Sequence, residues 1–144
     1  MDSKYAEPRN RIPRWVLPLV RSLARLPASI LIVEDDAFVR ILGADMFAQA
    51  GFRVIEAVNG DEALESLEAD SKVQLLFTDV NMSGTIDGLA LARKVHDCWP
   101  HIGIIVVSGQ STPQPQELPA GSHFHRKPYD ADAVVRHARE LTAA

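Results

Sequence analysis

Five side chains in this sequence are of types that could do chemistry together: Glu34, Asp35, Asp79, Ser108 and Lys127. Asp79 closes the apolar run Leu75, Leu76 and Phe77, so packing would hold its carboxylate in a fixed direction. Glu34 and Asp35 directly follow a second apolar run, SILIV at 29–33. Carboxylates gathered in one crevice repel. At ~5 Å and an effective dielectric of about 20, each pair costs about 3 kcal/mol. Either a raised pKa or a cation relieves that cost. An all-oxygen set with no His or Cys favours a hard ion, and an open, hydrated site suits Mg2+ better than Ca2+. Such an ion could bridge an incoming phosphoryl group and leave Asp79 as the nucleophile, forming an acyl phosphate. Phosphoryl transfer asks mostly for positioning and charge neutralisation, and Lys127 and the Ser108 hydroxyl suit the equatorial oxygens.

The pattern of elements brings these residues together. Strands are expected at 29–33, 52–58, 73–78, 102–107 and 122–126. Helices are expected from Phe38 to a stop at Gly51, through Ala63, Leu64 and Leu67 after a turn at Asn59-Gly60, over 87–99 up to Pro100, and over 130–141. The stretch 109–121 (GQSTPQPQELPAG) carries three prolines and reads as loop. Strand and helix thus alternate five times, and continuously apolar strands are what a parallel sheet covered on both faces requires. Functional crevices in such α/β sheets open at the carboxyl ends of the strands. Glu34 and Asp35 end the first strand, Asp79 the third and Ser108 the fourth, and Lys127 follows the fifth. All five fall on one edge.

At 144 residues the chain is most simply one domain of ordinary globular composition, 47% hydrophobic and 24% charged. Residues 1–28 hold six Lys/Arg against Asp2 and Glu7, a net +4, whereas the remainder holds nine against seventeen, a net −8. A basic N-terminal extension (1–28) therefore precedes an acidic domain (29–144). Cys98 is the single cysteine, so no internal disulfide forms and a reducing cytoplasm is the expected setting. No apolar stretch approaches the ~20 residues of a membrane span, and the extension lacks the features of a secretion signal.

The motifs VEDD (33–36), TDVNM (78–82), SG (108–109) and KPY (127–129) resemble, in order, those of the receiver domain of two-component response regulators. The likeness covers about residues 29–142. It implies a flavodoxin-like strand order of 2-1-3-4-5. It further implies that Asp35 and Asp79 ligate Mg2+ directly, Glu34 acts through water, and the backbone carbonyl of Asn81 completes the protein ligands. Asp36 falls where the family often has a third, non-essential acid. Asp79 is the implied phosphoacceptor, with Lys127 and Ser108 as its catalytic partners. Ser108 and Phe124 fall on the switch positions, and Asn81 and Gln110 on positions that tune phosphate lifetime. The implied donor is a sensor histidine kinase or a histidine phosphotransfer protein. The chain would catalyse its own phosphorylation and dephosphorylation without being an enzyme acting on a distant substrate. It would switch a protein-interaction surface or pass phosphate on in a phosphorelay, with no nucleic-acid contact. The Lys127-Pro128 bond is expected to be cis.

Three features depart from the family pattern. Ser83 stands where proline is usual, and the stretch to Asp87-Gly88 is one residue longer, in a loop that a kinase touches. Phe124 lacks the hydroxyl of the commoner tyrosine. The helix between strands four and five is expected to be short or replaced by the proline-rich loop.

The same sequence admits other readings. A haloacid-dehalogenase-like Mg2+-dependent phosphohydrolase would place its nucleophile in a D-x-D motif on the first strand. A receiver-like binding module that is never phosphorylated would not need every reactive position filled. A nucleotide- or flavin-binding module lacks its glycine-rich fingerprint. His96, Cys98 and His101 straddle a helix end without a zinc-like fourth ligand. His123 and His125 are expected as solvated strand residues. If 14–26 is helical, Trp15, Leu19, Leu23 and Leu26 share one face and Arg14, Arg21 and Arg25 the other, as in a helix that touches a membrane or a partner. Pro18 would sit awkwardly within it. A disordered tail, a helix packed on its own domain or an upstream start codon are the plainer readings.

Overall fold

The computed structural model describes residues 12–24 and 26–143. A short helix α1 (Leu17–Ala24) precedes β1 (Ser29–Val33), α2 (Ala37–Gln49), β2 (Arg53–Ala57), α3 (Gly60–Ala69), β3 (Val73–Asp79), α4 (Gly88–Cys98), β4 (Gly103–Ser108), β5 (His123–Arg126) and α5 (Ala131–Thr142). The strands form one parallel sheet in the order β2-β1-β3-β4-β5. The parallel sheet is what the apolar pattern leads one to expect, and its strand order is the one that the family resemblance implies. Between β4 and β5 lies only a 3-10 turn at Pro115–Glu117, in place of a full helix.

Continuous apolar strands follow from two-sided burial. Leu31, Val33, Leu76, Ile104 and Val106 face α3 and α4, packing on Ala63, Leu67, Leu91 and Val95. Their neighbours Ile30, Ile32, Leu75, Phe77, Ile105 and Val107 face α2 and α5, against Phe47, Val134 and Ala138. Side-chain direction alternates along each strand, so only an unbroken apolar run satisfies both layers. Phe47 anchors the second layer, edge-on to Phe52 at 5.7 Å and to Phe77 at 5.1 Å.

The expected starts at Asp87 and Asp130 lie one residue before the observed helices because both residues are caps, whereas α2 begins at Ala37, one residue before Phe38, and Gly60 of the expected turn already belongs to α3. Asp36, Asn59, Asp87 and Asp130 each accept a backbone N–H from the first turn of α2, α3, α4 and α5. Pro18 proves unproblematic. It is the second residue of α1, where its missing N–H has no helical partner to lose. Trp15, Leu17, Leu19 and Val20 are exposed, so α1 is not packed on its own domain by these residues. Residues 1–11, and the side chains of 21–25, on which much of the reading of the extension turns, lie outside the described residues. Among the described residues, no helix is long and apolar enough to cross a membrane.

One expectation is overturned. His123 and His125 are not simply solvated. Both are partly buried against His137 of α5, His123 stacked on its ring at 4.0 Å and His125 hydrogen-bonded to it at 2.8 Å. Burial lowers the pKa of each, and the neighbouring His137 lowers it further.

Gly88 fixes how α4 meets the sheet. Its N–H donates to the Val80 carbonyl at 2.8 Å, and a Cβ there would overlap the Asp79 carbonyl. By contrast, a Cβ on Gly43 within α2 meets nothing within 4 Å. Gly88→Ala should cost about 1–3 kcal/mol and lower the urea midpoint, whereas Gly43→Ala should raise stability by up to about 1 kcal/mol. Paired equilibrium unfolding curves check both signs.

Candidate functional site

The carboxyl edge of the sheet is assembled by register. β1 and β3 run side by side with Val33 opposite Thr78, so Glu34 and Asp79 emerge together. β3 and β4 pair Asp79 with Val107, one residue before Ser108. β4 and β5 pair Ser108 with Arg126, which delivers Lys127 to the same point.

Lys127 Nζ donates to Asp79 Oδ2 at 2.7 Å and to Glu34 Oε2 at 2.9 Å. Both carboxylates are nearly buried, 7% and 6% exposed, so neither is screened by bulk water. Burial works against the ammonium, but the hydrogen bonds and charges of Asp79 and Glu34 outweigh it and raise the Lys127 pKa. Lys127 therefore stays charged. Burial also raises the Glu34 pKa, although Lys127 and the Asp36 N–H (3.1 Å) oppose the rise. The two shifts pull in different senses for one ion pair. A single ammonium is shared by two carboxylates, so it cannot repay the desolvation of both.

Asp35 is exposed and points into the loop after β3, where Oδ2 accepts the Ser83 N–H at 3.0 Å. That bond, more than any other influence, lowers its pKa. A proline at 83 has no N–H to give, so the departure from the family pattern supplies a donor to a carboxylate of the cluster. Asp36 faces away as the cap of α2, its Oδ1 accepting from Val39 N at 3.0 Å.

Asn81 donates its backbone N–H to Asp79 Oδ1 at 3.2 Å and its side-chain amide to Ser108 Oγ at 3.3 Å. Ser108 is fully buried and also accepts the Ser111 N–H at 3.2 Å. Phe124 is half-buried against the α3/α4 layer. Gln110 is exposed beyond Ser108, and no hydrogen bond from its side chain occurs among those described. The Lys127-Pro128 bond is cis. The structure thus gathers Glu34, Asp35, Asp79, Asn81, Ser108 and Lys127, with Phe124 and Gln110 at the margin.

Sequence reasoning missed three contributors. Arg40 donates to the Glu34 carbonyl at 2.9 Å and pairs with Glu56 at 3.3 Å, holding the β1–α2 turn. Ser111 steadies Ser108, and its Ser-x-x-Ser spacing after a strand was an available signal. The third is the Ser83 N–H, a backbone donor with no side-chain signature. The donor set fits Mg2+: three carboxylates against one ammonium leave a local charge near −2, and the ligand atoms are all oxygen.

Comparison with known proteins gives a consistent result. The model of the "Response regulator receiver domain" family matches residues 30–137. The chain is 34% identical over 110 residues to the chemotaxis protein CheY of Bacillus subtilis, covering 74% of this chain and 90% of that protein. It is 34% identical over 114 residues to the C4-dicarboxylate transport transcriptional regulatory protein DctD of Rhizobium meliloti, covering 77% of this chain but 24% of that one. Against two sensor kinases of Vibrio cholerae and Brucella abortus it spans 18% and 12% of their length. In fold it is similar to a response regulator receiver protein from Sinorhizobium medicae, with a TM-score of 0.75 at 22% identity over 80% of this chain and 94% of that one. Nothing in these likenesses supports the dehalogenase reading.

Because Glu34 is buried with half a counter-ion, Glu34→Gln should stabilise the metal-free protein near neutral pH. The sign follows from a folded pKa raised above the unfolded one. The ionised carboxylate destabilises the fold, so the variant's advantage is absent below the unfolded pKa of about 4.3, grows as pH rises from there toward the folded pKa, and is constant above it. Urea midpoints of both proteins, measured across that range without divalent ions, check it.

Proposed function

The chain belongs to the response regulator receiver domain family, and on that premise we propose that it is a phosphoacceptor whose reactive group is Asp79. The observation that carries this reading is the Lys127 ammonium held between Asp79 and Glu34 at the end of β3. An Asp79 oxygen attacks the phosphorus of a phosphohistidine on a sensor histidine kinase or phosphotransfer protein. The P–O bond forms as the P–N bond breaks, and the imidazole leaves with the electron pair and takes up a proton. Lys127, already beside Asp79, has the charge and the reach to follow the phosphoryl oxygens. The Ser108 hydroxyl, buried and oriented by Asn81 and Ser111, supplies a second contact.

We infer that Mg2+ is held by Asp35 and Asp79, with Glu34 acting through water and the Asn81 carbonyl completing the protein ligands. When bound, the ion would neutralise charge on the transferring group. Phosphorylation adds about −1.5 to −2 charges and strong acceptor oxygens. Drawing Ser108 toward them would disengage it from Asn81 and Ser111 and open space next to Phe124. Without a hydroxyl, Phe124 can respond only by packing, a local change that biases the surface around β4 and β5. Asn81 and Gln110, two residues beyond Asp79 and Ser108, would tune the lifetime of the acyl phosphate. The output is contact with a partner protein or onward transfer of phosphate, in the cytoplasm.

Acetyl phosphate with Mg2+ should add one phosphoryl mass to the protein, and Asp79→Asn should abolish the adduct. Lys127→Ala should lower its rate by at least tenfold if its charge stabilises the transferring group. Intact-mass spectrometry reads all three, with beryllofluoride binding followed in parallel. Silence of the wild type in both assays removes the phosphoacceptor reading.

A further inference from the structure

The histidines that the phosphoacceptor site does not use form a second cluster. His123 begins β5, while His137 and Glu140 lie three residues apart on one face of α5. One ligand atom from each of His123, His137 and Glu140 lies within 4.8 Å of the others. The His123 and His137 rings are stacked at 4.0 Å with 16° between planes; a metal lies in the plane of each ring that ligates it, so sharing an ion requires these two partly exposed rings to tilt out of the stack. His125, two residues along the strand, is hydrogen-bonded to the His137 ring, its Nε2 2.8 Å from His137 Nδ1.

We propose that His123, His137 and Glu140 bind a divalent transition-metal ion of the Zn2+ class, with His125 as a positioning residue. Two imidazoles and a carboxylate with one open position for water form a common tetrahedral set for Zn2+. Imidazole ligands select Zn2+, Ni2+ or Cu2+ over Mg2+, which prefers the oxygen crevice at the other end of the strand. Tetrahedral ligation at ~2.0–2.1 Å places ligand atoms about 3.3 Å apart. Glu140 is exposed and free to close the difference. When His137 Nδ1–H donates to His125 Nε2, the lone pair of His137 Nε2 is left for the metal, the usual way a ligating histidine is oriented. The site would tie α5, which packs chiefly on β3 and β4, to the edge strand β5. It would thus brace the strand that carries Phe124 and leads into Lys127.

The test is calorimetric titration of the metal-stripped full chain with ZnCl2 in excess Mg2+, which occupies the acidic crevice. Thermal unfolding is followed in the same samples. One equivalent should bind and raise the unfolding temperature. His123→Gln and Glu140→Gln should each weaken binding by at least about tenfold, as should His125→Gln through loss of orientation. His101→Gln, outside the cluster, should leave binding unchanged. Circular dichroism shows whether each variant is folded, and Glu140, being exposed, can be replaced without disturbing the core. Absence of saturable binding overturns the proposal. So does binding that survives both His123→Gln and Glu140→Gln, or that is lost with His101→Gln.

Discussion

One ammonium between two buried carboxylates sets the terms for the carboxyl edge of this molecule. Lys127 reaches Asp79 and Glu34 at 2.7 and 2.9 Å, where neither acid has much water to fall back on. Removing two carboxylates from water is expensive, and an ion pair of good geometry returns only part of that cost. The fold is stable enough to hold the arrangement because two apolar layers press on the sheet from either side. The crevice is therefore a place where stability is spent to keep negative charge waiting. Electrostatic preorganisation of that kind is what phosphoryl transfer uses.

Precision in the crevice comes from the backbone more than from the reactive side chains. Parallel register between β1, β3, β4 and β5 brings their ends to one level. Gly88 lets α4 lie directly against the Asp79 carbonyl. Backbone N–H groups of Asn81, Ser83 and Asp36 each meet a carboxylate of the cluster. Arg40 ties the β1–α2 turn down through the Glu34 carbonyl. These backbone contacts hold the groups of the crevice in fixed positions.

Much of this was legible beforehand, for a physical reason. A strand buried on both faces must be apolar throughout, so a carboxylate directly after such a run marks a strand end, and strand ends in a parallel sheet lie together. Glu34, Asp35, Asp79, Ser108 and Lys127 could be placed that way. Helix boundaries were less legible, because Asp87 and Asp130 look like helix yet serve as caps. Ser83 read as a lost proline rather than a gained donor, since a backbone N–H leaves no trace in residue type. The histidines were misread because pairing β5 with α5 brings His125 and His137, twelve positions apart, into contact. Periodicity within a strand does not report that contact.

A crevice holding three carboxylates against one ammonium should take up a hard divalent cation, and the folded protein should be more stable for it. The direct measurement is the free energy of unfolding in urea as a function of Mg2+ concentration, at constant ionic strength. A crevice that binds Mg2+ only when folded predicts a rise of about 1.4 kcal/mol for each tenfold increase in Mg2+ beyond its dissociation constant, with the rise absent in Asp79→Asn. A stability that stays flat in Mg2+, or that rises equally in the variant, would contradict it.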